Sequence, residues 1–377
     1  MRVCYVASHA HGFDGWGRYT VELVRGARAL GIEPVLVTAQ PGLTPTLDGV
    51  EHHVMLLPPF AGRLWTARSL LAAPRLRRVI RTCDVLHCTV ELYAPLAALA
   101  CPRGVPYVQN AHGTWAVRPL ERASQRVFFA PAFRRADRLL VLSRYTRDRM
   151  AALISLPPHE ILTGGVHPTD FEHAAPVALP RWTAQGPLVL TVGALKARKG
   201  QHVALEAVAL AREAFPHLRY VAIGSLDDAP AYVEALRQRA DALGMADYFH
   251  LPGRVPFGEL VAWYRRADVF MLLPANQGSS FEGLGLVYLE AGAAGKPAIG
   301  TYNCGAAEAI IDGETGLLVP QNDPQAAAAA LLRLLSHDDL RARMGQAARA
   351  RARQLSWANL ARRVAALYGE LLEANRP

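Results

Sequence analysis

The feature that most constrains this chain is a rhythm that runs twice and breaks once. Short apolar runs alternate with amphipathic stretches, first at residues 3–7, 34–38, 84–88, 106–109 and 139–143. Helical patterns fill the gaps at 17–30, 66–81, 91–100, 119–136 and 144–153. Continuous apolar strands alternating with helices predict βαβ units around a parallel sheet. The rhythm stops over 157–180, a proline-containing stretch without periodicity, which predicts a linker. It restarts with strands at 188–192, 220–223, 248–251, 269–273, 297–300 and 316–319, and an alanine-rich helical pair near 325–352. A last stretch, 357–372, places Leu360, Val364, Leu367 and Leu371 at helical spacing. A length of 377 residues suits two cores better than one. The expected fold class is α/β: two Rossmann-like, doubly wound domains, 1–175 and 181–356, with ligands at the carboxyl edges of the sheets.

Several classes are disfavoured. No apolar run approaches bilayer length. The run at 3–7 is followed at once by Ser8, His9, His11 and Asp14, so it reads as a first strand, not a signal peptide. Cys4, Cys83, Cys88, Cys101 and Cys304 are scattered, with no CxxC pair, which points away from a disulfide framework or zinc knuckle and toward a reducing cytoplasm. Charge is uneven. Residues 1–180 hold 20 arginines, no lysine and 13 carboxylates, a net +7 that leaves +2 of the total +9 for the remainder.

Three segments carry chemistry. After the first strand comes His9-Ala10-His11-Gly12-Phe13-Asp14-Gly15-Trp16-Gly17-Arg18-Tyr19. Its glycines allow close backbone approach, and a helix starting near Gly17 aims free N–H groups at the loop, which suits a phosphate. A plain tight turn is the other reading. His9 and His11 lack a third partner at metal-ligand spacing, so no metal is expected there. The second segment, Gly193-Ala194-Leu195-Lys196-Ala197-Arg198-Lys199-Gly200, ends the second domain's first strand. Three cations in four residues would hold a diphosphate, or form a solvated turn. The third is Gly278-Ser279-Ser280-Phe281-Glu282-Gly283-Leu284-Gly285-Leu286-Val287-Tyr288-Leu289-Glu290-Ala291. Gly283 and Gly285 put Glu282 in a loop and Glu290 in the following apolar helix. Such carboxylates grip sugar hydroxyls, and a charge in an apolar helix needs a partner.

These residues make the resemblance specific. Glu282 and Glu290, with Gly285 and Ala291, resemble the E-x7-E motif of family 4 of the retaining glycosyltransferases, which have the GT-B fold. Gly15-Trp16-Gly17-Arg18-Tyr19, Ala111-His112-Gly113-Thr114, Pro252-Gly253-Arg254-Val255, Ala267-Asp268-Val269-Phe270, Gly295-Lys296-Pro297 and Asp312-Gly313-Glu314-Thr315-Gly316 agree with the family in order. The resemblance implies an interdomain cleft, and a C-terminal helix, 357–377, that crosses back onto the first domain. It implies that Glu282 holds the transferred sugar, Glu290 the donor ribose, and Lys199 the diphosphate. Gly15, with Trp16, would bring backbone N–H groups to the diphosphate. Val255 lies in the segment that reads the base. Phe281, Gly283, Leu284, Gly285 and Leu286 would line the donor, and His112 would sit beside the sugar's reactive face.

Departures are equally specific. Ala194 stands where the family usually has arginine, so Lys196 or Arg198 would supply that charge, and Arg198 is favoured. Asp14 replaces a glycine, which either disfavours a close phosphate or turns the carboxylate toward an acceptor. Leu284 replaces a common phenylalanine. The implied chemistry is metal-independent transfer of a hexose-type sugar from a UDP- or GDP-linked donor to a hydroxyl acceptor, whether glycan, lipid-linked or small-molecule, with retained configuration and no cofactor. The alternatives are a non-catalytic nucleotide-sugar binder, or a phosphorylase or epimerase on the same fold. The acceptor falls to the first domain, where two stretches are basic: Arg63 to Arg81, and Arg118 to Arg149 with nine arginines. They are either solvated helix faces or a peripheral contact with an anionic membrane. No aromatic–basic module suggests nucleic acid.

Overall fold

The computed structural model describes residues 1–11, 14–60 and 64–375, so Gly12 and Phe13 of the glycine-rich turn and Arg63 of the basic stretch lie outside the described residues. The chain divides into two compact units: Met1–Gly164 with Trp357–Pro377, and Gly165–Ser356.

Unit 1 is built on seven strands: β1 (Arg2–Val6), β2 (Glu33–Thr38), β3 (Glu51–Val54), β4 (Val85–Cys88), β5 (Tyr107–Ala111), β6 (Arg138–Val141) and β7 (His159–Ile161). Their order is β3-β2-β1-β4-β5-β6-β7, and every pairing is parallel. Central strands such as β4 and β5 are buried along their length, as helices on both faces require. Unit 2 has six parallel strands: β8 (Leu188–Val192), β9 (Arg219–Ile223), β10 (Phe249–Gly253), β11 (Val269–Met271), β12 (Ala298–Thr301) and β13 (Gly316–Val319). Their order is β10-β9-β8-β11-β12-β13.

Both orders reverse once. In unit 1 the chain steps from β1 out to β3, then returns to place β4 on the other side of β1. In unit 2 it steps from β8 out to β10, then returns to place β11 beside β8. Loops leaving the two strands at such a reversal diverge and open a crevice at their carboxyl ends.

The structure differs from the sequence expectation in definable places. β3 and β7 were not expected: Glu51-His52-His53-Val54 and His159-Glu160-Ile161 are polar edge strands without an apolar run. The stretch 119–136 is two helices, Thr114–Glu121 and Ala123–Arg134, parted at an extended Arg122. Residues 165–175, assigned from sequence to the first domain and the linker, group with unit 2. There Pro168–Glu172 is a short helix whose Phe171 ring is buried edge-on to Tyr264 at 5.7 Å. The Phe171 carbonyl accepts from the Arg265 guanidinium at 2.7 Å. Five residues are too few to show a helical period, so this anchoring left no local signal.

The final helix, Trp357–Ala374, belongs to unit 1 and buries Trp357, Leu360, Val364, Leu367 and Leu371. It lies so close to the first helix, Gly15–Ala29, that a Cβ on Gly26 would be 2.4 Å from the Ala361 methyl. Among the described residues no helix is long and apolar enough to cross a membrane.

One glycine decides the loop after β8. Gly200 has φ +73°, and a Cβ there would sit 1.9 Å from the Leu273 carbonyl oxygen, in the loop after β11. Gly200→Ala should therefore lower stability by about 2 kcal/mol or more, combining left-handed strain with a backbone clash. Chemical denaturation checks this, and an unchanged midpoint would contradict the close packing of the two loops.

Candidate active site

In unit 2 the reversal between β8 and β11 assembles a charged cluster. After β8 the chain makes one 3-10 turn, Ala197–Lys199, passes Gly200, and enters the helix Gln201–Ala211. After β11 it loops to the helix Leu286–Ala293. Parallel pairing of the two strands sets these loops side by side, and the Ala275 N–H donates to the Arg198 carbonyl at 2.9 Å.

The side chains then meet. Lys199 Nζ lies 2.5 Å from Glu282 Oε2, and Arg198 Nη1 lies 3.4 Å from the same oxygen. The Glu282 carboxylate is buried, which by itself pushes its pKa up. Lys199 and Arg198 outweigh that and hold it below the ordinary 4.5. Gly285, at φ +79°, turns the loop into the next helix, which has no side-chain cap. Its first N–H groups are left for another acceptor.

The second glutamate is placed differently. Glu290 is buried in that helix, and its Oε2 accepts from the Tyr264 hydroxyl at 2.7 Å. The structure thus brings Arg198, Lys199 and Glu282 into contact and holds Glu290 on Tyr264 instead. Phe281 and Leu284 are buried. Gly283, Gly285 and Leu286 form the loop-to-helix junction. Lys196 is exposed. Val255 follows β10, two strands from β8.

In unit 1 the loops after β1 and β4 flank the corresponding reversal, and Thr20 and Thr89 hydroxyls meet there at 2.8 Å. Asp14 caps the first helix, its Oδ1 accepting from Gly17 N–H at 2.8 Å and meeting His9 Nε2 at 3.0 Å. Burial raises the Asp14 pKa, but His9 and the Gly17 N–H bring it below the ordinary value. One N–H of the helix N-terminus, that of Gly17, is therefore taken by the chain's own carboxylate. Of these glycines Gly17 is packed against the chain itself, where a Cβ would fall 2.0 Å from the His11 carbonyl oxygen. A Cβ on Gly15 would meet open space. Trp16 stands 6.4 Å from Trp115, ring to ring.

His112 follows β5 and ends a buried polar chain. Its Nδ1 lies 2.9 Å from Glu91 Oε2, and its Nε2 lies 3.4 Å from Asn110 Nδ2. Asn110 Oδ1 meets His87 Nε2 at 2.7 Å, and His87 Nδ1 meets the Tyr368 hydroxyl of the final helix at 2.5 Å. Burial pushes the His87 pKa down to about 4, so this ring is neutral near pH 7. The amide oxygen of Asn110 only accepts, so His87 carries its proton on Nε2 and takes one from Tyr368 at Nδ1. The amide N–H of Asn110 then faces His112 Nε2, which leaves His112 donating from Nδ1 to Glu91. Sequence reading missed Glu91. It lies in no motif, and its partnership arises only when β4 and β5 pair.

Among the described residues no group of three His, Cys, Asp or Glu side chains is placed to hold a metal ion. Comparison with known proteins bears on the family and the fold. Residues 13–168 match the model described as Glycosyltransferase Family 4, and residues 180–351 match Glycosyl transferases group 1. The chain is 32% identical over 300 residues to the GDP-mannose-dependent alpha-(1-6)-phosphatidylinositol monomannoside mannosyltransferase of Mycolicibacterium smegmatis, covering 74% of each. It is 29% identical over 413 residues to the D-inositol 3-phosphate glycosyltransferase of Thermobispora bispora, covering 99% of this chain and 95% of that one. Among solved structures, a glycosyltransferase from Rickettsia africae superposes with a TM-score of 0.80 at 18% identity, covering 98% of each chain. Anabaena HepE in complex with UDP gives 0.81 at 15% identity, covering 98% of this chain and 100% of that one.

The cluster around Glu282 fixes a pH dependence. A carboxyl whose folded pKa is depressed adds stability above its unfolded value, and that stability is lost as pH falls through the folded value. Relative to Glu282→Gln, the native chain should be more stable at pH 7 by about 2 kcal/mol, the size of a charge-assisted hydrogen bond. The difference should vanish as pH drops below 4.5. Denaturant unfolding at a series of pH values checks this, and a pH-independent difference would contradict the pairing.

Proposed function

The chain belongs to glycosyltransferase family 4, and on that premise we propose a retaining, metal-independent transfer of a hexose-type sugar from a UDP- or GDP-linked donor to a hydroxyl acceptor. The observation that carries this reading is the ion pair of Lys199 with Glu282 at the β8–β11 reversal. On donor binding, Lys199 and Arg198 turn to the diphosphate and free Glu282 for the sugar hydroxyls. As the bond at carbon one breaks, negative charge grows on the diphosphate. The two cations and the uncapped helix N-terminus at Leu286 stabilise it without reorganising. In this reading they supply the positive charge that a metal ion supplies elsewhere.

Glu290 takes the ribose hydroxyls, with Tyr264 fixing the carboxylate. His112, set by Glu91, orients the sugar. Backbone groups at Gly15 and Trp16 approach the diphosphate, and those at Val255 approach the base. In this reading Glu282 anchors the sugar hydroxyls and is not a covalent nucleophile, so retention is reached in one step, without a glycosyl-enzyme intermediate. The acceptor hydroxyl then attacks on the face the diphosphate leaves. All five cysteines are buried free thiols, which favours a reducing cytoplasm.

The mycobacterial relative's name specifies GDP-mannose and the Thermobispora relative's specifies D-inositol 3-phosphate. GDP-mannose and phosphorylated polyols are therefore the first donor and acceptors to assay. Lys199→Ala should lower turnover by about 10²–10³-fold, the loss expected when one preorganised charge leaves a transition state. Its donor-free fold should survive, because Glu282 keeps Arg198. Release of nucleoside diphosphate during acceptor-dependent transfer checks this, and equal turnover would remove Lys199 from the role. Proton NMR of the fresh product reads the anomeric configuration, and inversion would overturn the proposed route. Donor binding without transfer to any acceptor would support a non-catalytic binder. Phosphorolysis or donor hydrolysis would support the phosphorylase or epimerase alternative.

A further inference from the structure

Unit 1 contains a cavity of about 590 Å³, within the size range of small-ligand sites. Its walls come from Phe60, the helix Trp65–Ser69 with Leu64 before it, and the two helices that run from Thr114 to Arg134. The lining is mostly aromatic and aliphatic, with the polar Thr66, Ser124 and Gln125, two cations, Arg118 and Arg122, and no carboxylate. Arg118 packs over the Trp115 ring at 5.2 Å, and its Nε is buried without a hydrogen-bond partner. Among the described residues neither arginine is ion-paired; Glu121, on the same helix as Arg118, is taken by Arg149 at 2.7 Å. A buried guanidinium donor without an acceptor is a standing cost, which an incoming anion relieves.

The rest of the lining asks for something else. Leu64 is 73% exposed and Phe60 56% exposed, and Phe128 also faces water. Apolar groups this exposed, beside unpaired guanidinium groups, match a ligand with an anion joined to hydrocarbon. The cavity is also well placed: the helix carrying Trp115 and Arg118 begins at Thr114, two residues after His112.

We propose that this cavity seats the acceptor, and that the acceptor is a lipid-linked phosphate. Its phosphate meets Arg118 and Arg122, and its hydrocarbon covers Trp115, Leu64, Phe60 and Phe128. This rests on the transferase reading above and names its acceptor class. A small water-soluble phosphate ester would satisfy the arginines and leave the apolar residues facing water. An uncharged glycan would satisfy neither. Exposed Arg68 and Arg126, on the cavity's own helices, with Arg75 and Arg78 on the helix Ala73–Ile80 and Arg81 just after it, favour approach to an anionic surface.

The test is calorimetric titration of the full chain with dodecyl phosphate below its micellar concentration, against dodecyl maltoside and inorganic phosphate. Dodecyl phosphate should bind saturably, at least tenfold tighter than the maltoside and a hundredfold tighter than inorganic phosphate. The double variant Arg118→Ala, Arg122→Ala should lose the preference for the charged headgroup. Leu64→Asp, at an exposed position that a fold tolerates, should weaken dodecyl phosphate while sparing inorganic phosphate. Equal binding of dodecyl phosphate and maltoside, no binding of either, or unaltered selectivity in the double variant would overturn the proposal. Inorganic phosphate binding as tightly as dodecyl phosphate would also overturn it, in favour of a soluble phosphorylated acceptor. Thermal stabilisation by GDP-mannose or UDP-glucose is read in parallel. If neither nucleotide sugar stabilises the native chain, the transferase reading fails separately, while the titration still decides what the cavity holds.

Discussion

The parallel pairing of β8 with β11 is the constraint on which the catalytic reading depends. Val269 and Phe270 lie beside Val189 and Leu190, though 80 residues separate them in sequence. That register brings a loop ending in Lys199 against a loop containing Glu282. Neither loop alone can place a cation and a carboxylate at hydrogen-bond distance. The pairing also explains Gly200, whose backbone passes the Leu273 carbonyl too closely for any side chain. Strand order, glycine and ion pair are one arrangement seen at three scales. Burial of Glu282 is tolerable because two cations offset its desolvation, as the depressed pKa records.

How much of this was legible in the sequence follows from how local each signal is. Strands β8 and β13 fall at the residues their apolar runs predict, β8 because a central strand must be apolar throughout and β13 because even at the sheet edge it is largely buried. Glu282 stood out because a carboxylate beside glycines and an apolar helix has few structural excuses. Its partner Lys199 stood out as one of three nearby cations. Sequence left Lys196 and Arg198 both open and favoured Arg198, and it is Arg198, inside the 3-10 turn, that reaches Glu282, while Lys196 before the turn is exposed. Glu91 was invisible for a related reason. It becomes a partner of His112 only through the pairing of β4 with β5. The helix Pro168–Glu172 hid its allegiance because a single phenylalanine and two carbonyls tie it to unit 2.

The buried chain from Tyr368 to Glu91 shows how unit 1 prepares a histidine without spending charge. A neutral His87, fixed by burial, passes a definite donor–acceptor sense through Asn110 to His112. The tautomer of His112 is set by Asn110 and Glu91, and Asn110 is itself oriented by His87, which His112 does not touch. Tyr368 belongs to the final helix, which explains why that helix is part of unit 1 rather than a tail upon it. The hydrophobic face of Trp357–Ala374 supplies the burial, and one hydroxyl supplies the orientation.

The two units also use positive charge in opposite ways. In unit 2 Lys199 and Arg198 are both paired with Glu282, so their field is local. Unit 1 has no lysine in its first 164 residues and spreads its charge over arginines, several on exposed helical faces. Arginine keeps its charge when half-buried and can stack on an aromatic ring while offering its edge to an oxyanion. Arg118 over Trp115 has that geometry, with a donor still unsatisfied. A lysine there would hold its charge as a hydrated point and would favour leaving the apolar wall for water. The cations therefore differ with their surroundings: beside Glu282 a lysine and an arginine share one carboxylate, and against the aromatic wall of unit 1 charge rests on arginine alone.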